Sequence, residues 1–430
     1  MIQIRVCIHF FLLTALLWAI GCDDSGDASD AIDTDSDTSG TDSETESPIP
    51  LSGQYVSSIT PLSEITADEV SGLFSLMALQ VPESGSFSAL ATYDVAVYKM
   101  VYRTAYQQSD IAASALLAVP LTETPVPVIS YQNGTNTQYS AAPTEDYNGQ
   151  LMRVFTSIAS MGYAVVIADY IGFGESTQLF HPYLCKDVTV QSLSDMLLAV
   201  DELDSMNELT FSLNGDLFLV GYSQGGHATM ALHEYLNAQT DYPLVLQATA
   251  AGAGPYDLTD INAHILSLAQ YEQPYYGPYT VLAFQSMGFI SDDLSLYFAA
   301  DYAAVIPSLY TGQLSSDDIN GSLTTNMQEL YAPALIDGLY TDTAYETLLT
   351  AFEENSVAAI ASQTPIRLYH GTADTYVPLD LTTNLVTAFI DAGTPETLIE
   401  TIEFEGEDHQ SAGAPAIIDA VTWFNELSGY

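Results

Sequence analysis

The chain has 430 residues, 48% of them hydrophobic, so it is long enough and apolar enough to bury one large core or two smaller ones. Six Lys and Arg residues stand against 55 Asp and Glu residues, which gives a formal net charge of -49. This charge excludes nucleic acid and anionic membrane surfaces as partners, because both would be repelled.

The N-terminal segment has the pattern of an export signal. Arg5 precedes an apolar run over 10–20, which is shorter than the roughly 20 residues that a membrane-spanning helix needs. The segment Ala19–Cys22 resembles the bacterial lipobox, in which the cysteine is acylated. We expect a signal peptide over 1–21, lipidation at Cys22, and a protein held by this lipid anchor at the bacterial cell envelope or surface. Plain secretion is the alternative.

A low-complexity tract follows this signal. From Asp23 to Pro50 the chain is almost all Asp, Ser, Thr, Gly and Glu, a composition that cannot bury enough apolar surface to fold. We expect a lipidated cysteine and a disordered acidic linker over 22–50, and a folded domain over 51–430. Cys7 would leave with the signal and Cys185 would remain alone, so no disulfide is expected. The acid excess fits either an exported protein with a solvated surface or one adapted to a saline medium.

Strand and helix patterns alternate along the predicted domain. The predicted strands are 95–106, 111–119, 126–131, 164–169, 217–220, 244–250, 366–369 and 398–404. The predicted helices are 151–161, 190–206, 226–238, 379–392 and 415–427. Fully apolar strands that alternate with amphipathic helices indicate an α/β fold, with a mostly parallel twisted sheet covered by helices on both faces.

One long stretch interrupts this alternation. Between the strands 244–250 and 366–369 the chain has helical patterns but no convincing strand, and it is rich in tyrosine and phenylalanine. We expect residues from about 257 to 362 to form a largely helical cap or lid whose aromatic side chains, among them Tyr275, Tyr276 and Tyr279, shape an apolar site. A separately packed subdomain is the alternative.

Gly221-Tyr222-Ser223-Gln224-Gly225 has the pattern G-x-S-x-G. Alone the pattern is weak, because Gly and Ser are common residues. Here the apolar strand 217–220 runs directly into it and a helix is predicted from Gly226, so Ser223 lies at a sharp turn between strand and helix. This context is typical of the nucleophile in α/β-hydrolases, and it disfavours an ordinary tight turn.

A serine nucleophile needs a general base, and histidine has the pKa suited to that task near neutrality. In this fold the order along the chain is Ser, acid, His, and His409 is the last histidine, well beyond the predicted strand 366–369. His227, near the start of the helix that follows Ser223, fits a packing or hydrogen-bonding role instead.

His409 lies just past the predicted strand 398–404, and the acid should lie at the end of the strand before it, 366–369, where Asp374 is found. Asp408 adjoins His409 and cannot easily fold back onto its Nδ1 atom. Asp380 opens a predicted helix, where an acidic residue favours the helix N-terminus. We therefore predict the catalytic triad Ser223, Asp374 and His409.

The negative charge that develops on a carbonyl oxygen under attack needs backbone N–H donors. We expect one donor from Gln224 and the other from the loop after the strand 126–131, at Asn133 or Gly134. The sequence has no metal-ligand cluster, phosphate loop or dinucleotide motif, so we expect no metal and no cofactor.

Several segments together resemble the bacterial and fungal secretory lipases, a group of α/β-hydrolases that includes the lipase A type. These segments are Ser130 to Thr135, Asp169 to Gly174, His181 to Leu184, Gly221 to His227, and His370-Gly371 with Asp374. The resemblance implies cleavage of acyl esters and an inserted lid. Many members have His-Gly where this chain has Asn133-Gly134, so the oxyanion loop departs from their pattern.

We predict a serine carboxylic ester hydrolase, an esterase or lipase that cleaves small-molecule or lipid esters through an acyl-enzyme. A serine peptidase of the same fold is one alternative. Such enzymes commonly carry an acidic site for the substrate amine, and no motif here argues for one. A non-catalytic, surface-displayed binding protein is the other alternative, but all three triad residues are present.

Overall fold

The computed structural model describes residues 47–79, 81–291 and 293–429. The predicted signal peptide, the lipidation site at Cys22 and the predicted linker as far as residue 46 lie outside the described residues. In the described ranges, no helix has both the length and the apolar character needed to cross a membrane.

A twisted sheet of ten strands organises the described part of the chain. The strands are β1 Ile49–Pro50, β2 Val56–Ile65, β3 Val95–Tyr106, β4 Ser109–Pro120, β5 Val126–Gln132, β6 Ala164–Ala168, β7 Leu213–Tyr222, β8 Val245–Gly252, β9 Ile366–Gly371 and β10 Ile399–Phe404. Their order across the sheet is β1-β2-β3-β4-β6-β5-β7-β8-β9-β10. The pairings from β1 to β4 and between β4 and β6 are antiparallel, and those from β6 to β10 are parallel. The predicted α/β-hydrolase fold is confirmed.

Helices cover both faces of this sheet. In the described ranges they are α1 Ala67–Met77, α2 Gly85–Leu90, α3 Gln150–Ser157, α4 Lys186–Met206, α5 Gln224–Asn237, α6 Leu258–Ser267, α7 Tyr276–Ser286, α8 Ala300–Leu309, α9 Ser316–Ser322, α10 Met327–Leu330, α11 Pro333–Gly338, α12 Glu346–Asn355, α13 Leu379–Asp391 and α14 Gly413–Ser428. The five helices predicted outside the insertion are present with shifted ends, and the predicted 151–161 ends as a 3₁₀ turn over Ile158–Met161.

The central strands are buried on both faces over most of their length, and this is why their sequences are mostly apolar. Along β7, Phe218 and Val220 pack into one core together with α14. Leu217 and Leu219 point to the opposite face and pack with α4 and α5. Side chains alternate along a strand, so a strand covered on both faces packs on both sides of the sheet. This packing fixes the position of its end. The turn at Ser223 begins at that end of β7.

The folded region begins before Leu51, the start expected from composition. In β1, Ile49 pairs with Ile59 and Pro50 pairs with Ser58. The predicted end of the linker at Pro50 is therefore too late. Neither β1 nor β2 was predicted, because β2 contains Pro61 and most of its residues are only partly buried at the edge of the sheet, without a clean alternation.

Helices α6 to α12 occupy the stretch expected to form a cap, between β8 and β9. The sheet-like contacts described within it are two isolated bridges, Gln270 with Asn326 and Phe298 with Tyr331. The apolar side chains of these helices form a third core, which also contains Tyr183 and Val377. Both of these residues lie in loops at the carboxyl edge of the sheet. The helical insertion therefore packs directly onto that edge.

Stability also depends on pH through a buried histidine on α5. His233, on α5, forms hydrogen bonds through Nδ1 with Thr249 Oγ1 (2.8 Å) and through Nε2 with Ser362 Oγ (3.0 Å). Burial lowers the pKa of His233 to about 4. In the unfolded chain the pKa is about 6.5, so between pH 6.5 and 4 the unfolded state binds more protons than the folded state. Stability is therefore lost as the pH falls through this window.

Replacing His233 by Gln removes this titration. When the pH falls from 7.5 to 4, the unfolding free energy of the wild type should fall by about 3 kcal/mol more than that of His233→Gln. Urea unfolding of both proteins at several pH values measures the shift. A constant difference would mean that His233 does not titrate between these states.

Candidate active site

The turn after β7 has the geometry of a nucleophile turn. Ser223 separates β7 from α5 and has φ 60° and ψ -123°, a strained conformation for a residue with a side chain. The backbone segments approach so closely here that a Cβ atom at Gly225 would overlap the carbonyl group of Gln132. This explains the glycine after Gln224. The side chain of Ser223 points to a cavity and is partly exposed.

The structure brings together the three residues that the sequence analysis assigned to a triad. His409 Nε2 lies 2.9 Å from Ser223 Oγ, and His409 Nδ1 lies 2.7 Å from Asp374 Oδ2. The three side chains follow the carboxyl ends of β7, β9 and β10, where loops of a parallel sheet converge. With Nδ1 protonated and donating to Asp374, Nε2 is free to accept the hydroxyl proton of Ser223.

Asp374 is held as a carboxylate in a buried position. Its Oδ1 atom accepts hydrogen bonds from the backbone N–H groups of Tyr376 (2.8 Å) and Val377 (2.9 Å). Burial alone would raise the pKa of Asp374, but hydrogen bonds from His370, His409 and the backbone outweigh it and hold the pKa well below its usual range. The group therefore carries its negative charge at neutral pH.

A second histidine supports Asp374, and the sequence analysis missed it. His370 Nε2 lies 2.9 Å from the carbonyl oxygen of Val377 and 3.3 Å from Asp374 Oδ2, so Nε2 carries a proton. Its Nδ1 atom, 2.7 Å from Thr382 Oγ1, then accepts the hydroxyl proton. His370 lies on β9 and Asp374 follows in the turn after it, so the contact depends on the turn and no pattern in the sequence predicts it.

The residues set aside in the sequence analysis have other roles in the structure. Asp408 Oδ1 accepts hydrogen bonds from Gln410 N and Ser411 N and so caps a turn. Asp380 is exposed in the first turn of α13. His227 is buried, with Nε2 2.8 Å from the carbonyl oxygen of Asn355 in the cap.

The predicted oxyanion donors lie beside Ser223. Gln224 is the first residue of α5, where a backbone N–H has no acceptor within the helix. A Cβ atom built on Gly134 would lie 3.9 Å from the Cβ atom of Ser223, so the loop over Asn133 and Gly134 borders the nucleophile. Among the described residues, neither Gly134 N–H nor Gln224 N–H has a hydrogen-bond acceptor. Both groups are available to a ligand.

An apolar cavity opens beside Ser223 and encloses about 440 Å³ of empty space, counting its mouth. Its walls come from the cap and from loops of the sheet edge: Tyr183, Leu184, Pro255, Ile261, Asn262, Ile265, Tyr271, Tyr276, Gly277, Thr280, Tyr376 and Val377. None of these residues is charged. Of the three cap tyrosines expected to line such a site, Tyr276 does so, whereas Tyr279 stacks on Tyr183 with ring centroids 4.5 Å apart.

A second apolar cavity lies deeper in the cap; about 310 Å³ of space lies between its lining atoms, of which about 10 Å³ has room for a water-sized group. It shares Asn262, Gly277 and Thr280 with the cavity beside Ser223, so the two adjoin. The rest of its lining includes Leu266, Val281, Tyr331, Leu335, Leu339, Leu348 and Phe352. Across the described ranges, no group of three or more His, Cys, Asp or Glu side chains could hold a metal ion.

Comparison with protein families gives a match to the model described as serine aminopeptidase, S33, over residues 144–392. The match spans more than half of the chain and contains Ser223 and Asp374, but it ends before His409. It is not a model of the secretory lipases to which the motifs were compared. No curated protein matches the chain.

Solved structures share the fold at low sequence identity. A Legionella pneumophila protein described as a hydrolase has a TM-score of 0.77 at 24% identity, over 87% of this chain and 98% of its own. The rice cell wall degrading esterase LipA from Xanthomonas oryzae has a TM-score of 0.74 at 22% identity, over 86% and 97%. Candida antarctica lipase A has a TM-score of 0.58 at 17% identity, over 78% of each chain. These likenesses show that the chain shares the fold of these proteins.

Proposed function

Since the chain belongs to the serine aminopeptidase S33 family of α/β-hydrolases, we propose that it is a carboxylic ester hydrolase whose nucleophile is Ser223. The observation that supports this most strongly is the hydrogen-bonded series from Ser223 Oγ through His409 to Asp374, at 2.9 and 2.7 Å, at the edge of an uncharged cavity. An activated hydroxyl beside an apolar pocket suits attack on an acyl group.

The reaction follows from these positions. Ser223 Oγ attacks the ester carbonyl carbon while its proton passes to His409 Nε2, and Asp374 stabilises the imidazolium that forms. The N–H groups of Gln224 and of the loop over Asn133 and Gly134 hold the negative oxygen. As the carbon–oxygen bond to the alcohol breaks, His409 returns the proton to the leaving alcohol. Water, deprotonated by His409, then attacks the acyl-enzyme and releases the acid.

The family description favours a second candidate, an aminopeptidase of the same fold. Such an enzyme needs a carboxylate placed to bind the ammonium group of its substrate. The residues that line the cavity beside Ser223 are Tyr, Leu, Ile, Val, Pro, Gly, Thr and Asn, without a charge among them. Burying an ammonium group there would be costly, because nothing pairs with it. We therefore place ester hydrolysis first.

Parallel assays separate the two candidates. The wild-type protein is given p-nitrophenyl esters of graded acyl length and aminoacyl p-nitroanilides with free amines, in the same buffer. We expect turnover of the esters and little or none of the anilides. Turnover of the anilides with kcat/KM above that of every ester would assign the protein to the peptidases.

We infer that longer acyl chains extend from the cavity beside Ser223 into the deeper cavity and widen it as they bind. Leu348 is buried on α12 and lines this cavity, so Leu348→Phe should fill part of it. We expect kcat/KM for a dodecanoate ester to fall about tenfold or more while that for a butyrate ester changes little, since each lost methylene contact is worth roughly 1–3 kcal/mol. Steady-state rates on the two esters give the ratio.

Thr347→Phe is the matched control, because Thr347 is the preceding residue of the same helix and is exposed. It adds the same ring without entering the cavity, so the dodecanoate-to-butyrate ratio should stay at the wild-type value. An unchanged ratio in a folded Leu348→Phe protein would show that acyl chains do not reach the deeper cavity.

A further inference from the structure

A buried histidine that the reaction does not use contacts the residue next to the nucleophile. His181 Nε2 lies 2.9 Å from the side-chain nitrogen Nε2 of Gln224, and both residues are almost fully buried. The other ring nitrogen, Nδ1, lies 2.7 Å from the carbonyl oxygen of Ile171. His181 and Gln224 are 43 residues apart in sequence, so no local motif predicts their contact.

The chemistry of the partners fixes the proton on His181. A carbonyl oxygen can only accept, so Nδ1 carries the proton and donates it to Ile171. In the neutral ring Nε2 then accepts a hydrogen bond from the amide N–H of Gln224. Burial also lowers the pKa of His181 to about 4, so the ring stays neutral at working pH. The pair therefore has one arrangement of protons that satisfies both ends.

Four aromatic residues pack around the ring of His181. Tyr170, Phe173, Tyr183 and Tyr279 have ring centroids 5.1 to 6.1 Å from its own. Three of these come from loops that follow β6, and Tyr279 comes from the cap helix α7. Packing of this kind leaves the imidazole little freedom to rotate. Its Nε2 atom is thus a fixed acceptor.

Fixing the side chain of Gln224 also fixes its backbone. Gln224 begins α5 directly after the strained Ser223, and its N–H has no acceptor among the described residues. The other atom of its side-chain amide, Oε1, is buried without a partner in the described part of the chain. The contact with His181 is therefore the one directional bond that orients this side chain within the described structure. Without it, the amide could turn to satisfy Oε1 instead and carry the first turn of α5 with it.

We propose that His181 is a positioning residue that, through its hydrogen bond with the side chain of Gln224, aims the backbone N–H of Gln224 at the oxyanion. The proposal rests on the proposed function, in which this N–H stabilises the negative oxygen. It assigns a use to the segments Asp169 to Gly174 and His181 to Leu184, which the sequence analysis singled out without a role. Their residues hold the ring of His181 in place.

Two substitutions of His181 test separately the hydrogen bonds made by its two ring nitrogens. His181→Asn keeps a donor near Nδ1 for Ile171 but has no atom that reaches Gln224. His181→Gln places an amide oxygen near the former Nε2 atom, where it can accept from Gln224. We expect His181→Asn to lower kcat on the order of tenfold to a hundredfold with KM nearly unchanged, because a misdirected donor loses part of the hundredfold or more that an oxyanion donor supplies. His181→Gln should restore most of this loss.

An alkyl boronic acid supplies a readout that does not depend on the ester. Its adduct with a serine hydroxyl is tetrahedral and places a negative oxygen where the oxyanion forms, so its Ki should rise in His181→Asn by about the factor by which kcat falls. Gln224→Met removes the side-chain donor but keeps the backbone N–H, and it should match His181→Asn. The double variant should be no slower than either single variant, because both break the same contact.

The outcomes are distinct. Wild-type kcat in a folded His181→Asn protein, multiplicative effects in the double variant, or an unchanged boronic acid Ki would each overturn the positioning role. If His181→Asn does not fold, Gln224→Met against wild type decides in the same way. Failure of the wild type to hydrolyse any ester, or full ester turnover by Ser223→Ala, would contradict the proposed function itself. Neither result can be confused with the outcomes that overturn the role of His181.

Discussion

Ser223→Ala is expected to reduce ester turnover by a factor on the order of a million while leaving the fold intact. The hydroxyl is the atom that would form the acyl-enzyme, and no other side chain occupies its place 2.9 Å from His409 Nε2. What remains should be the small rate that binding and the oxyanion donors supply. Initial rates on a p-nitrophenyl ester, with circular dichroism to verify the fold, measure the loss.

Ser308→Ala is a suitable control for this experiment, since Ser308 is an exposed serine on α8 of the cap. It removes the same hydroxyl far from His409 and should keep wild-type rates. A Ser223→Ala protein with activity near that of the control would remove Ser223 from the mechanism.

Asp374→Asn is expected to lower kcat by about four orders of magnitude, through the proton on His409 rather than through the fold. The Oδ1 atom accepts from the backbone N–H groups of Tyr376 and Val377, so the amide oxygen of an asparagine would take that side. Its NH₂ group would then face His409 Nδ1, which must become an acceptor. The ring proton moves to Nε2, which can no longer accept from Ser223.

Asp380→Asn provides the control for the change of charge. Asp380 also lies close to Asp374 in sequence, but it is exposed at the start of α13 and has no contact with His409. We expect it to keep kcat within about a factor of two, as for most surface substitutions. Equal losses in Asp374→Asn and Asp380→Asn would point to general charge in this region and against a triad.

The sequence predicted those parts of the molecule in which a local pattern has one physical meaning. The buried parts of strands β5 to β8 are mostly apolar because helices cover both faces, and the glycine at 225 is required where the turn meets Gln132. Such features leave clear marks in the sequence. The region over 257–362 was recognised as an insertion because it lacks the strand patterns found on either side of it.

Other features depend on contacts between distant segments and leave no such mark. The edge strand β2 is mostly half-buried and contains Pro61, so neither its composition nor its alternation indicates a strand. His370 supports Asp374, and His181 supports Gln224, through hydrogen bonds that only the folded chain creates. Residue type alone could not separate these histidines from His227 and His233, which also lie buried with hydrogen-bond partners.

Covalent trapping tests the central claim, the nucleophilic role of Ser223, most directly. The wild-type protein is treated with a p-nitrophenyl alkylphosphonate, digested with a protease specific for glutamate, and mapped by mass spectrometry. We predict one phosphonyl group per chain, located on Ser223, formed in step with the loss of esterase activity and absent from Ser223→Ala. An adduct on another residue, or inactivation without any adduct on Ser223, would contradict the account.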